Sequence, residues 1–379
     1  MTRDLRILLG FHGYVPDIHR GIVEFARPKR WFLELYGLPN RELFFRADPD
    51  AILTSLGPDT RLLEMVKRAT CPVVDTTLNE PEIAVNRVVV DNRRMGELAA
   101  EYFCHRRYRH YVFLANRGGA DIHEQFEGFR GGVSARIPGG TVDALLLGSE
   151  AGDEPPHADF SAGVGSLLRY LSATKCPLAV YCPSDILGAQ AIDTCLAAGV
   201  DVPGDVSVLA AGNNALVCES LPVSLSSIDP GYANLGRLAA ARLESLIARP
   251  ESSARTSKLA PAGVVTRESS NHYVVTRPEI RAALRRIGSE FANPDLDVQE
   301  VADGVGLSKG RLSAGFREEM GHGIAAEIRY IRLEWAKLLL RRGVDVRTAC
   351  RASGFSNVAS FRKAFQRSTG CNPGAYAEV

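Results

Sequence analysis

The chain has 379 residues, 45 basic against 44 acidic side chains and a formal net charge of +1. Its composition, 45% hydrophobic and 23% charged, excludes a disordered or collagen-like chain, and its length exceeds one ordinary core, so two or three domains are expected. No run of about eighteen apolar residues is present, and the start Met1-Thr2-Arg3-Asp4 lacks an apolar core, so neither a membrane span nor a signal peptide is expected.

In chain order, the first 275 residues alternate strand and helix signals. Residues 6–11 read as a buried strand and 18–26 as a helix. Short apolar runs at 51–53 and 72–74 read as buried strands, with a helix at 62–68 between them. A strand at 87–90 precedes an amphipathic helix at 93–105. A second cycle starts at 111–115 and continues through strands at 145–147, 178–181 and 206–209. Helices are expected near 121–135, 161–173 and 185–198. Buried strands separated by helices imply parallel sheets, and two cycles imply two α/β lobes. The 232–247 helix is expected to return to the first lobe and a strand near 263–266 to the second. Residues 249–254 read as an exposed loop, and 271–278 as a linker into the C-terminal region.

Enzymatic chemistry finds little purchase. Gly10-Phe11-His12-Gly13 follows a strand but lacks the Gly-Lys-Ser/Thr of a phosphate loop. No His-Glu-x-x-His helix is found. His12, His19, His123 and His157 stand alone and read as structural or surface groups. The eight cysteines are scattered without a Cys-x-x-Cys pair, which suits buried free thiols of a cytoplasmic protein. No catalytic residue, cofactor or metal is assigned.

The last hundred residues carry the most specific signal. Ala302, Gly306 and Ser308 take the small, turn and capping positions of a helix-turn-helix unit, and Leu312 and Phe316 form the apolar stripe of its second helix. The pattern recurs with Cys350, Gly354 and Ser356, then Phe361 and Phe365. Two such units, about fifty residues apart, form an internal repeat. Between them Ile324, Ile328, Ile331, Trp335 and Leu338 share one helical face. From 277 onward 17 basic residues stand against 12 acidic ones, so a near-neutral chain holds a basic C-terminal module suited to a polyanion.

This region resembles the AraC/XylS DNA-binding domain. The resembling residues are 298–308, the run Ile331-Arg332-Leu333-Glu334-Trp335-Ala336-Lys337-Leu338-Leu339, Gly354-Phe355-Ser356 through Phe365, and the ending Thr369-Gly370-Cys371-Asn372-Pro373. The resemblance implies two recognition helices in successive major grooves, ~34 Å apart. In the first, the candidate DNA contacts are Lys309, Arg311, Ser313 and Arg317, with Ala314 where the family commonly has an Arg. In the second they are Asn357, Ser360, Arg362, Lys363 and Arg367, with Lys363 at the base-reading position.

The preceding part resembles the periplasmic-binding-protein-like effector domain of LacI/GalR regulators. The resemblance rests on Val90-Asp91-Asn92-Arg93-Arg94-Met95-Gly96, Glu127-Gly128-Phe129-Arg130, Ser184-Asp185, the run 198–208 and Leu221-Pro222-Val223-Ser224 through Ile228. Such an effector domain joined to a C-terminal AraC-type reader is the arrangement of the XylR-like subgroup. Domains at 1–275 and 276–379 are expected: an α/β two-lobed effector and an all-α tandem helix-turn-helix reader. The resemblance implies a sugar such as xylose bound between the lobes by Tyr14, Gln125, Asp185 and Asn213, with Gln125 in place of a family Arg and Gly212 in place of a family Asp. Asp185 also suits a helix N-cap. The implied partners are double-stranded DNA, a second copy of the chain and, for an activator, RNA polymerase. The alternative is an AraC-type regulator whose α/β part is a degenerate enzyme or protein-interaction module.

Overall fold

The computed structural model describes residues 4–36, 48–116, 118–147, 167–171, 173, 177–249, 251 and 253–378. Most of the expected 161–173 helix, His157 and Cys176 lie outside the described residues. The chain divides into two compact units: Met1–Asn92 with Gly119–His123 and Gly231–Ala260, and Arg93–Gly118 with Glu124–Pro230 and Pro261–Val379.

The first unit is built on β1 (Leu5–Phe11), β2 (Trp31–Tyr36), β3 (Ala51–Ser55), β4 (Val73–Asp75), β5 (Asn86–Val90) and β11 (Thr256–Leu259). These lie in the order β11-β5-β4-β3-β1-β2, all parallel. The central strands are the continuous apolar runs expected of a sheet covered on both faces. The two edge strands, β2 and β11, were not legible, because each is partly exposed and carries polar residues such as Glu34 and Lys258. Helix α2 (Thr60–Arg68) joins β3 to β4, and helix α1 (Pro16–Ala26) and helix α7 (Tyr232–Ala248) cross at glycines. A Cβ on Gly21 would stand 1.9 Å from the Ala233 carbonyl oxygen, and one on Gly236 2.1 Å from that of Ile18. Only glycine allows so close a crossing. The 232–247 helix thus returns to the first unit, as its sequence suggested.

The second unit holds β6 (His110–Asn116), β7 (Val142–Leu147), β8 (Leu178–Tyr181), β9 (Val206–Ala211), β10 (Ser226–Asp229) and β12 (Gly263–Val265). Their order is β12-β10-β9-β8-β6-β7, with β12 alone antiparallel. β10 begins with two serines and does not read as a buried strand. Both serines are fully buried because each finds a partner: the Ser226 hydroxyl donates to the Arg267 carbonyl at 3.0 Å, and the Ser227 hydroxyl to Asp185 at 2.6 Å. Helices α3 (Asn92–His105), α4 (Ala120–Arg136), α5 (Asp185–Ala197) and α6 (Ala215–Glu219) connect the strands.

The same unit continues into α8 (Pro278–Glu290), α9 (Val298–Gly304), α10 (Lys309–Met320), α11 (Ile324–Arg341), α12 (Val346–Ala352), α13 (Val358–Thr369) and α14 (Pro373–Glu378). Two small cores form here. Leu312 and Phe316 of α10 bury in one, Phe361 and Phe365 of α13 in the other. The expected linker 271–278 is not a free tether: Tyr273 and Val275 are buried in the first of these cores. Helix α11 also departs from its expected single face. Ile324 and Ile328 bury in the first core, while Leu333, Ala336 and Leu340 bury in the second. Leu338 turns to β12, its Cβ 3.6 Å from where a Cβ on Gly263 would lie. A helix shared by three surfaces needs apolar residues nearly all round, so a one-face periodicity under-reads it.

Candidate functional sites

Helix α5 starts at Asp185, but its N-cap is Ser184, whose hydroxyl oxygen accepts the Leu187 N–H. The capping role considered for Asp185 therefore falls to its neighbour, and the Asp185 carboxylate is free to turn toward the ends of β9 and β10. One oxygen accepts the Ser227 hydroxyl at 2.6 Å and the other the Asn214 N–H at 2.7 Å. Burial pushes the Asp185 carboxyl above its usual range, and these hydrogen bonds oppose the shift. Gly212, with φ +131°, passes so close that a Cβ there would stand 2.6 Å from Asp185 Oδ2. A side chain at 212 would therefore crowd the Asp185 carboxylate where it is seated here.

Asn213 adjoins Asp185 through a shared partner, since its N–H donates to the Ser227 hydroxyl oxygen at 2.9 Å. It adopts φ +52°, a left-handed conformation asparagine tolerates. Its amide oxygen accepts from Arg267 at 3.1 Å, and Arg267 also pairs with Glu219. Gln125, on α4, is buried and accepts the Tyr181 hydroxyl at 2.6 Å, within an aromatic cluster of Phe113, Phe129 and Tyr181. Tyr14 belongs to the first unit, is exposed, and its hydroxyl bonds His19 Nδ1 at 2.9 Å. The structure thus joins Asp185 and Asn213 through Ser227 and gives Gln125 and Tyr14 separate partners. Ser227, Asn214 and Arg267 escaped the sequence reading. Ser227 lay inside a resembling segment, and Asn214 beside a candidate, which were the only signals available.

From Asn213 the contacts run on into the helical domain. Its amide nitrogen is 3.5 Å from Asp229 Oδ2, and that same oxygen accepts Arg342 Nε at 2.7 Å. Arg342 caps the C-terminus of α11. One chain of polar contacts therefore leads from Asp185 through Ser227, Asn213 and Asp229 to the helix joining the two helix-turn-helix units.

In the first helix-turn-helix unit Ala302 is buried, Gly306 takes φ +69°, and Ser308 caps α10 by accepting the Arg311 N–H at 3.4 Å. In the second, Cys350 is buried and Gly354 takes φ +74°. The cap there is Asn357, not Ser356: its side-chain oxygen accepts the Ser360 N–H at 2.8 Å. The second turn is thus one residue longer after its glycine. Aligned on their buried residues, Leu312 matches Phe361, so Ala314 and Lys363 are equivalent.

Lys309, Arg311 and Arg317 are exposed on or beside α10, as are Asn357, Ser360, Arg362, Lys363 and Arg367 around α13; Ser313 is half-buried. None of these lysines and arginines forms an ion pair among the described residues. Asn357 spends its side-chain oxygen on the cap. Two further exposed cations, Arg347 and Arg351 on α12, were not nominated.

Where the helical domain meets the second sheet's unit, the fully buried Glu327 accepts from His105 Nε2 at 3.0 Å, His322 Nε2 at 2.7 Å and the Tyr273 hydroxyl at 2.9 Å. Burial alone would raise the Glu327 carboxyl, but these donors bring it down to about 2 and hold His322 above its usual value. Among the described residues this is the only group of metal-type donors, and its carboxylate is already satisfied by three protein groups.

Two family profiles match the chain: a periplasmic binding protein-like domain over residues 100–270 and a helix-turn-helix domain over 301–378. The xylose operon regulatory protein of Escherichia coli K12 is 26% identical over 197 residues, which is 52% of this chain and 50% of that protein. The chain is similar in sequence to xylose operon regulatory proteins. In this XylR-like chain a periplasmic-binding-protein-like domain precedes an AraC-type helix-turn-helix domain. The alignment spans about half the length of the curated relatives it matches. The arabinose operon regulatory protein of Escherichia coli K12 matches at 32% identity over 98 residues, 26% of this chain and 34% of that protein. A solved structure of the xylose-binding transcription activator XylR aligns with 100% of this chain and 99% of its own, at 21% identity and TM-score 0.62. At that identity the likeness concerns the fold. Among the described residues no helix is long and apolar enough to cross a membrane.

Proposed function

We propose that the chain is a sequence-specific, DNA-binding transcriptional regulator, an activator that works in the cytoplasm as a homodimer and engages RNA polymerase. Its effector domain is residues 1–275 and its reader residues 276–379. The effector is a sugar, xylose or a related carbohydrate, held at Asp185 and Asn213 with help from Gln125 and Tyr14. The observation that carries this reading is the union of two capped, cation-bearing recognition helices with a buried, hydrogen-bonded carboxylate at the strand ends of a periplasmic-binding-protein-like sheet. A carboxylate oxygen accepts more than one hydrogen bond, so Asp185 retains capacity for hydroxyls beyond Ser227 and Asn214.

The polar chain from Asp185 to Arg342 supplies a route by which sugar biases DNA binding. Its effect is bounded by the sugar's differential affinity, and a tenfold change needs only about 1.4 kcal/mol of coupling. The test is binding of the purified chain to its own upstream DNA, with calorimetry against pentoses and hexoses. Asp185→Ala should bind DNA at its basal level and lose its response to sugar. Arg342→Ala should keep sugar affinity and lose the effect of sugar on DNA. Full sugar response in Asp185→Ala sinks the placement of the effector site. No binding by any sugar favours the protein-interaction alternative.

A further inference from the structure

A cavity of about 170 Å³ lies away from Asp185, walled by Tyr102 and Thr266 on the sheet side and by Phe291, Tyr330 and Trp335 on the helical side. Arg106 also lines it. Its side chain is over nine-tenths buried, and among the described residues no carboxylate stands within ion-pair distance of it; Glu327 acts on it only at longer range. Its guanidinium lies 3.4 Å from the centre of the Tyr102 ring and 5.1 Å from that of Tyr273. Nη2 reaches the Thr266 hydroxyl oxygen only at 3.4 Å, and Nε has no partner at all.

A buried guanidinium without an anion is a costly arrangement that ring faces offset only in part. Two carboxylates line the same cavity, but each is held elsewhere. Glu101 accepts from Arg94 at 2.8 Å and Arg136 at 2.7 Å, and Glu334 accepts from Lys337 at 2.6 Å. The planar fork of arginine can hold a carboxylate in bidentate geometry. The aromatic walls match a flat ring.

We propose that this cavity is a second ligand site, which takes a small planar carboxylate: one ring bearing one acid group, the acid on Arg106 and the ring among Tyr102, Tyr330 and Trp335. Such a ligand touches both the effector sheet's unit and the helix that joins the two helix-turn-helix units. It would therefore act on DNA binding independently of a sugar at Asp185.

The test is calorimetry of the full chain with benzoate, with benzamide as the neutral isostere. Benzoate should bind with submillimolar affinity and benzamide at least tenfold more weakly. Arg106→Met should abolish benzoate binding while leaving the chain folded, because the side chain it replaces holds only one long hydrogen bond, to Thr266 at 3.4 Å. If that variant fails to fold, Gly288→Leu serves instead. A Cβ at Gly288 meets nothing closer than Asn271 Oδ1 at 3.7 Å, and the larger side chain fills the cavity with Arg106 intact. Loss of binding in Gly288→Leu supports the site. Absence of benzoate binding to the wild-type chain, equal affinity for benzamide, or unchanged affinity in either variant overturns it.

Discussion

The two helix-turn-helix units share one pattern of residue types and have quite different surroundings. Each places a small buried residue, a left-handed glycine and a capped helix in the same order. Yet a Cβ on Gly306 would meet nothing within 4 Å, whereas one on Gly354 would stand 2.3 Å from the Phe291 carbonyl oxygen and 2.9 Å from Arg332 Nε. The first turn is an exposed corner. The second is wedged beneath the end of α8, where Arg332 also donates to the Phe291 and Asn293 carbonyls. The first unit is anchored differently, through Tyr273, Val275 and the Glu327 cluster. A repeat in sequence therefore need not be a repeat in energetics, because what a turn glycine does depends on what lies across from it.

The sharpest way to break this comparison is alanine at each turn. Gly354→Ala should cost about 3–4 kcal/mol, the left-handed penalty plus a clash with rigid backbone. Gly306→Ala should cost about 1 kcal/mol, the conformational penalty alone. Denaturant melts of the two variants check this, and equal losses would mean that the second turn relaxes freely.

Next in size is the anchor of the first unit. Glu327→Gln removes the carboxylate that raises His322 and leaves His105, His322 and Tyr273 facing a neutral amide, and should cost about 2–3 kcal/mol near neutral pH. The pH dependence has a defined sign. Glu327 is depressed, so its contribution is present above 4.5 and is lost as pH falls toward about 2. His322 is raised, so its contribution is present below 6.5 and is lost as pH rises through its elevated pKa. His105, Tyr273, Tyr330, Arg106 and Arg107 also face this cluster. Melting temperatures of wild type and Glu327→Gln should converge on both flanks, and a constant gap across pH would sink the account.

The readers differ as well. Lys363→Ala should relax specificity at one half of the site by ~1–3 kcal/mol, while the first unit, with Ala314 at the equivalent position, discriminates less. Arg367→Ala, as a phosphate contact, should weaken all sequences alike and flatten the salt dependence. Equal loss on specific and random DNA for Lys363→Ala would refute its base-reading role. The smallest effects belong to the caps. Asn357→Ala and Ser308→Ala should each cost about 1 kcal/mol, with the larger loss at the shorter Asn357 bond. Far-ultraviolet circular dichroism during thermal melting would rank them.

Sequence alone determined the central strands of both sheets, the return of α7, and the tandem helix-turn-helix units, because each rests on local periodicity or on a glycine that its own turn demands. The family resemblance also singled out Asp185 and Asn213, with Gln125 and Tyr14, as ligand residues. Sequence alone missed β2, β11 and β10, since edge strands tolerate polar residues and buried serines look exposed until their partners are known. It assigned the second cap one residue early, because Ser356 and Asn357 are both good caps and only backbone geometry chooses between them. Tertiary structure alone decided that Ser184 frees Asp185 for another task, that the supposed linker is core, and that α11 serves three surfaces. It alone brought Asp229 to Arg342 and left Arg106 buried without an ion pair among the described residues. Each of these depends on backbone geometry, on partners far apart in the chain, or on a partner that never arrives, and no local pattern in a chain encodes any of the three.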